Sequence, residues 1–318
     1  MNCSIVIRAY NEGRHLGRLL DGIRQQTVQD VEIILVDSGS SDETVSIAEA
    51  HGAKIIHIHP QDFTFGRSLN LGMEAVTHEL VVIASAHVYP VYPDWLERLL
   101  EPFAGSATAL TYGKQRGSPT GELGLGSTTK FSEHEIFARW YPEQPSLKQD
   151  HPFCNNANAA IRKRLWVEHP YDETLTGLED LAWAKWALEQ GYNLAYIPTA
   201  EIIHVHDETP KGVFNRYKRE AMAFKRIYPE AHFSLYDFLR MTGSNIANDL
   251  WHASRQGLLL PSFTSIIWFR WNQFWGTYQG YRQSLEWNWQ LRQTFYYPRG
   301  TQTIETSKRE IEPIRYNK

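Results

Sequence analysis

His204 and His206 stand two residues apart in EIIHVH. Side chains alternate along a strand, so both imidazoles leave the same face. Histidine pairs at this spacing suit a metal ion, and His87, at the end of VVIASAH, offers a third ring. A single such histidine is more often a hydrogen-bonded core residue, whereas three together point to a ligand cluster. Neutral imidazole is a good ligand for Mn2+ or Zn2+ and a poor one for Mg2+. Glu179 and Asp180 in GLED are adjacent carboxylates at a helix start, where the helix dipole favours acids in any case. The preceding CNNANAAIRK adds a second signal. Asn155, Asn156 and Asn158 are costly to bury unless hydrogen-bonded. Asparagines beside an acid suit recognition of hydroxyls and removal of a proton. Arg216 and Arg219 in RYKREAMAFKR lie one turn apart and could clamp phosphate, while Lys225 and Arg226 read as a solvated helix face.

The elements that must carry these groups alternate through the first half of the chain. SIVIRAY reads as a buried strand and EGRHLGRLLDGIRQQT as an amphipathic helix, with Leu16, Leu19, Leu20 and Ile23 on one face. VEIILVDS is a second strand, after which Ser40 and Glu43 form an S-x-x-E capping box for the next helix. AKIIHIH, helix RSLNLGMEAV, ELVVIAS and helix PDWLERLLEPF follow. The alternation predicts an α/β fold: a mostly parallel, doubly wound sheet built by right-handed crossovers, with helices on both faces. Ligands bind beyond the carboxyl ends of such strands. That places Arg8 to Glu12, Asp37 to Asp42, and Ser85 to His87 along one rim. In the bland alternative, Asn11 and Glu12 cap the first helix and Asp37 braces the turn after its strand.

From about 113 to 157 the pattern weakens, and QRGSPTGELGLGSTT reads as a loop. GLGSTT lacks the strand before it and the lysine after it that a phosphate-binding loop needs. GLEDLAWAKWALEQG is a helix ended by Gly191, two short strands NLAYIP and EIIHVH come next, and a mostly helical tail begins near Gly212. The expected organisation is a catalytic domain over 1–230, with halves at about 1–112 and 113–230, and a helical, aromatic-rich extension over 231–318. In that extension Ile267, Trp271, Phe274, Tyr278, Tyr281 and Leu285 make one apolar stripe accompanied by Arg270, Arg282 and Arg292. Gly276 and Gly280 would let another helix come close. The stripe either packs on the catalytic domain or lies at a membrane surface.

Of the 318 residues, 42% are apolar and 21% charged, enough for a sizeable core. A net charge of −4 disfavours a nucleic-acid partner. Two cysteines give no disulfide framework, so a reducing, cytoplasmic compartment is expected. MNCS leads straight into a strand without the pattern of a signal peptide, and no run of 18 apolar residues occurs.

Taken in order, these pieces resemble family 2 glycosyltransferases with the GT-A fold, over roughly the first 230 residues. The likeness lies in the sequence of motifs: YNE after strand one, VDSGSSD after strand two, a metal-motif position after strand four, WLE ten residues on, and the late ED pair. FTFGRSLNLG and NNANAAIRK look most like bacterial surface-polysaccharide transferases, including rhamnosyltransferase-like members. The resemblance implies a nucleotide held by Arg8, Tyr10, Asn11, Glu12, Asp37, Ser38, Arg67, Asn70, Ser85 and Ala86. It implies a diphosphate held through a divalent metal and by Arg216 and Arg219, and sugars contacted by Asn155, Asn156, Asn158 and Trp183. Asp180, beside Glu179, would be the base of an inverting single displacement.

Three departures stand out. Ser38 replaces a frequent second Asp, which leaves uracil, thymine and guanine open. Leu69 replaces an Arg before Asn70, with Arg67 nearby. SAH replaces Asp-x-Asp. The polypeptide N-acetylgalactosaminyltransferases look similar at this last point, using Asp-x-His with a distant second histidine. By that likeness His87 is the first ligand and His204 or His206 the second, with Mn2+ preferred to Mg2+ and Ser85 on ribose or a metal-bound water. The expected partners are a nucleotide-diphosphate sugar and a glycan or lipid-linked acceptor, reached in the cytoplasm or at the inner face of the membrane. A non-catalytic nucleotide-sugar binder with a decayed metal motif is the alternative. A three-histidine zinc hydrolase would leave YNE and VDSGSSD without purpose.

Overall fold

Strand β1 (Asn2–Ala9) is buried on both faces, and its side chains sort by parity: Ile5 and Ile7 join one core, Val6 the other. It pairs in parallel with β2 (Asp30–Asp37) and β4 (Leu80–Ser85), and β2 pairs in parallel with β3 (Lys54–His57). The computed structural model describes residues 2–117, 129–206, 209–283, 312 and 314–315. Among them, β5 (Val88–Pro90), β6 (Thr108–Arg116), β7 (Asn158–Arg162) and β8 (Asn193–His204) complete one eight-stranded sheet in the order β3-β2-β1-β4-β7-β6-β8-β5. β7 runs antiparallel to both β4 and β6, and β6 is parallel to β8. The carboxyl ends of β1, β2, β4, β6 and β8 therefore share one rim, and β7 starts from that rim. This is the mostly parallel α/β sheet expected, with an antiparallel insertion.

Helices cover both faces. α1 (Gly13–Arg24) buries the four predicted apolar residues, and α4 (Trp95–Leu100) packs into the same core. α3 (Phe65–Ala75) and α7 (Glu179–Glu189) supply Leu69, Met73 and Trp183 to the opposite one. α2 (Thr44–Ala50) begins a turn later than the proposed capping box requires. Ser40 Oγ instead accepts from the Asn11 amide at 2.8 Å. The Asp42 carboxylate accepts from the amides of Gly13 and Thr44, each at 3.0 Å, so one acid serves the first turns of α1 and α2.

Three further readings change. The weakly patterned region contains the end of β6 and helix α5 (Phe131–Trp140); residues 124–128 of GLGSTT lie outside the described residues. NLAYIP and EIIHVH form one strand, β8. A register shift opposite Gly113 to Gln115 takes up Pro198, the residue that suggested a break. The polar CNNANAAIRK run contains the whole of central strand β7 and ends on the first residue of α6 (Lys163–Glu168).

The tail comprises α8 (Pro210–Ile227), α9 (Leu235–Arg255) and α10 (Leu259–Arg282). A Cβ on Gly276 would sit 2.4 Å from the Phe214 carbonyl, and one on Gly280 2.4 Å from that of Lys218. Both glycines thus permit α10 to lie against α8, as their spacing suggests. The predicted stripe splits: Phe274 and Tyr278 are buried, whereas Ile267 and Trp271 are exposed with Leu260 and Phe263. Arg270 is no surface companion, since it is buried and grips Asp249 of α9 at 2.7 and 3.0 Å. Leu285 and Arg292 fall outside the described residues.

Candidate active site

The shared rim opens into a cavity of about 670 Å³. β1 delivers Arg8, Tyr10, Asn11 and Glu12 to it, β4 delivers Ser85 and His87, and β8 delivers His204 and His206. Asn155 and Asn156 enter ahead of β7, Asp180 from α7, and Arg216 and Arg219 from α8. Two backbone positions aim these groups. Asn11 adopts a left-handed φ of 54°, tolerable for asparagine, and its Oδ1 accepts from the Ser41 amide at 2.8 Å, tying the first two loops together. Leu178 adopts φ 56°, costly for a bulky side chain, immediately before the ED pair. Such strain persists where surrounding structure enforces it, and it clusters at functional sites.

The three imidazoles converge, with ligand atoms all within 4.8 Å of one another. Each is anchored at Nδ1: His87 by Glu12 at 2.8 Å, His204 by Gln115 Oε1 at 2.7 Å and His206 by Glu133 at 2.6 Å. These partners present oxygen acceptors, so Nδ1 carries the proton and the lone pair is at Nε2. Arg216 also approaches His206 Nδ1 at 3.4 Å, too far to compete with the carboxylate. Burial holds His204 and His206 well below the ordinary imidazole range, so both are neutral and able to ligate. Nε2 of His204 is buried without a hydrogen-bond partner in the protein, which fits a metal ligand.

Asp180 is held differently. Its carboxylate accepts from the amides of Asn156 at 3.1 Å and Leu181 at 2.8 Å. Burial, and then the Glu179 charge, nevertheless push it up to about 7. Glu179 receives Arg8 Nη1 at 3.0 Å. The guanidiniums of Arg8 and Arg219 both lie over the Phe65 ring, at 4.7 and 4.6 Å.

Other expected site residues make their contacts outside the cavity lining. Asp37 accepts from the amides of Gly39 and Ser40, each at 3.1 Å, and Ser38 donates to the Ala9 carbonyl at 3.2 Å. Together they brace the turn that carries Ser41 and Asp42 into the cavity, and Ala86 is core. Arg67 is at the surface with Glu173. Asn70 accepts from Trp166 Nε1 at 2.9 Å and the Tyr171 amide at 3.0 Å. Asn158 accepts from Trp95 Nε1 and donates to the Ala200 carbonyl, both at 2.8 Å, and Trp183 donates to the His169 carbonyl at 2.7 Å. None of these lines the cavity; Asn70, Asn158 and Trp183 use their polar atoms on interior backbone and indole groups. Glu133, Gln115, Phe65 and Tyr141 do line it and went unnoticed in the sequence. Phe65 alone had a signal, inside the quoted FTFGRSLNLG.

The chain belongs to glycosyl transferase family 2, whose model matches residues 4–168, and is a glycosyltransferase. It is 26% identical over 221 residues to the O-antigen chain rhamnosyltransferase RfbN of Salmonella typhimurium, across 68% of this chain and 70% of that one. Against the O-antigen chain rhamnosyltransferase WbaN of Salmonella anatum it is 25% identical over 218 residues, 67% and 69% of the two chains. The mannosyltransferase PcManGT from Pyrobaculum calidifontis, solved with GDP-Man and Mn2+, shares the fold at a TM-score of 0.55 and 17% identity, over 88% of this chain and 84% of that one. GalNAc-T7, solved with UDP, GalNAc and Mn2+, matches at 0.53 and 16% identity, over 77% of this chain and 50% of the other.

Proposed function

We propose that this enzyme transfers a sugar, with inversion, from a nucleotide-diphosphate sugar to a glycan or lipid-linked acceptor during surface-polysaccharide synthesis. The observation that carries this reading is that one cavity holds both Asp180, a buried carboxylate poised near 7, and the anchored imidazoles at the end of β4. A base with that pKa suits proton removal near neutrality. The acceptor O–H gives its proton to Asp180 while its oxygen bonds to the anomeric carbon. The anomeric C–O bond to the diphosphate breaks, and the diphosphate leaves with the electron pair. Arg8, Tyr10, Asn11 and Glu12 form the nucleotide side, while Arg216 and Arg219 meet the diphosphate. His87, His204 and His206 would hold a divalent ion, Mn2+ before Mg2+, and such an ion would supply charge neutralisation at the leaving group. Likeness to two proteins named as O-antigen chain rhamnosyltransferases supports a rhamnosyl donor and a polysaccharide pathway.

Donor hydrolysis and transfer, assayed with Mn2+, Mg2+ or excess chelator, test the reading. Mn2+-stimulated turnover is expected, with weak support from Mg2+. Full activity in chelator assigns the imidazoles to direct hydrogen bonding of the diphosphate instead. Among the described residues no helix is long and apolar enough to cross a membrane. We place the acceptor at a membrane surface touched by the exposed α10 stripe, on the cytoplasmic side.

A further inference from the structure

The end of α5 and the segment entering β7 contribute polar atoms to the cavity that the fold leaves unmatched. Tyr141 is 2% exposed, yet its Oη has no hydrogen-bond partner in the protein. Asn156 is also buried. Its backbone amide donates to Asp180, and its side-chain amide donates at 3.5 Å to Glu179, which leaves Oδ1 as an acceptor with no donor. Leaving such groups buried and unpaired is unfavourable. In the wall of a cavity they mark where a ligand's polar atoms go. Tyr141 and Asn156 line the cavity with Asp180, whose charge reaches the Tyr141 hydroxyl. Trp140 lines it too, and its indole is 43% exposed, edge-on to Phe153 at 5.7 Å.

We propose that Trp140, Tyr141 and Asn156 form the subsite for the accepting sugar, a pyranose whose C–H face lies on the indole while its hydroxyls meet Tyr141 Oη and Asn156 Oδ1. This rests on the reading of Asp180 as the base, because the ring must present one further hydroxyl there. The polarity of the groups selects the chemistry. Asn156 Oδ1 and the Asp180 carboxylate both accept, so hydroxyls satisfy them and a phosphate would be repelled. An exposed aromatic face beside a few fixed polar atoms suits a ring with one apolar side. The growing end of the acceptor is therefore a sugar ring, whether or not a lipid carries its far end.

Saturation-transfer NMR of the full chain with methyl α-L-rhamnopyranoside, methyl α-D-mannopyranoside and methyl β-D-galactopyranoside tests this. A thermal-shift series with UDP, GDP and dTDP plus Mn2+ runs in parallel. At least one glycoside should receive saturation, and Trp140→Ala and Tyr141→Phe should each weaken its binding about 5- to 10-fold. Both variants should keep the wild-type melting temperature and nucleotide shift. Absence of saturation for all three glycosides overturns the subsite, as does equal binding by the wild type and both variants. If no nucleotide shifts the protein while glycoside binding remains sensitive to both substitutions, the donor reading fails and the subsite stands.

Discussion

Under the proposed mechanism, Asp180 sets the pH dependence. It must be ionised to take a proton, and burial with Glu179 beside it raises its pKa to about 7. Transfer should therefore fall about tenfold per pH unit below 7 and level off above it. Glu179→Gln removes the neighbouring negative charge and should move that limb to lower pH, measured as kcat/KM across pH at saturating Mn2+. Asp180→Asn should keep the nucleotide-induced thermal shift and lose about 10²- to 10⁴-fold in transfer; near-normal turnover removes it from the mechanism. Glu133 belongs to the same scale. It anchors His206 and also receives Arg216 at 3.2 Å, so Glu133→Ala should raise the Mn2+ concentration needed for half of the thermal shift about 10- to 100-fold. An unchanged Mn2+ titration would show that His206 needs no anchor. The clustering of the histidines was legible from their spacing and their place at strand ends, although β8 stops at His204 and His206 lies just beyond it. Glu133 was not, because it reaches His206 from 73 residues away. Asn70, Asn158 and Trp183 lie away from the cavity lining for a related reason. Interior carbonyls, amides and indoles satisfy them, and none of those partners is adjacent in the chain.

At the scale of elements, the strands and helices of the first hundred residues follow from their apolar periodicity, and the two places that do not follow are instructive. α5 carries Phe131, Ile136 and Phe137 inward, but a Gly- and Ser-rich stretch precedes it and masks the period. β7 lies at the centre of a sheet, yet its first residue is an asparagine whose side chain donates to carbonyls of β6 and, beyond it, β8. α5 is in turn fastened to the tail. Ser132 Oγ donates to Asp249 at 2.6 Å, and Arg270 bonds both the Ser132 carbonyl and Asp249. Removing one partner of such a buried pair leaves an uncompensated charge, so Asp249→Ala should cost about 3–5 kcal/mol in urea unfolding. Ser132 directly precedes Glu133, so the same substitution should weaken the Mn2+ shift even well below the melting temperature. Loss of stability with the Mn2+ titration intact would confine this pair to packing.

At the scale of the molecule, α10 carries an exposed apolar face. Leu260, Phe263, Ile267 and Trp271 follow steps of three and four along α10 and stay exposed. With full-length protein and anionic liposomes at low salt, flotation is expected, and Leu260→Glu with Phe263→Glu should abolish it. Protein that stays at the bottom of the gradient ends the membrane proposal. The same helix has a second consequence through its inner face. Phe269 packs with Ile136, Val213 and Tyr217, and Ile266 with Phe131 and Ala253, so apolar clusters close only when α10 is in place. A chain cut after residue 230 would keep His87, His204, His206, Asp180, Arg216 and Arg219, and would still lack the surface on which α5 and α8 rest. During synthesis, then, the groups that do the chemistry emerge first, and the last helix described is the one that lets them hold their places.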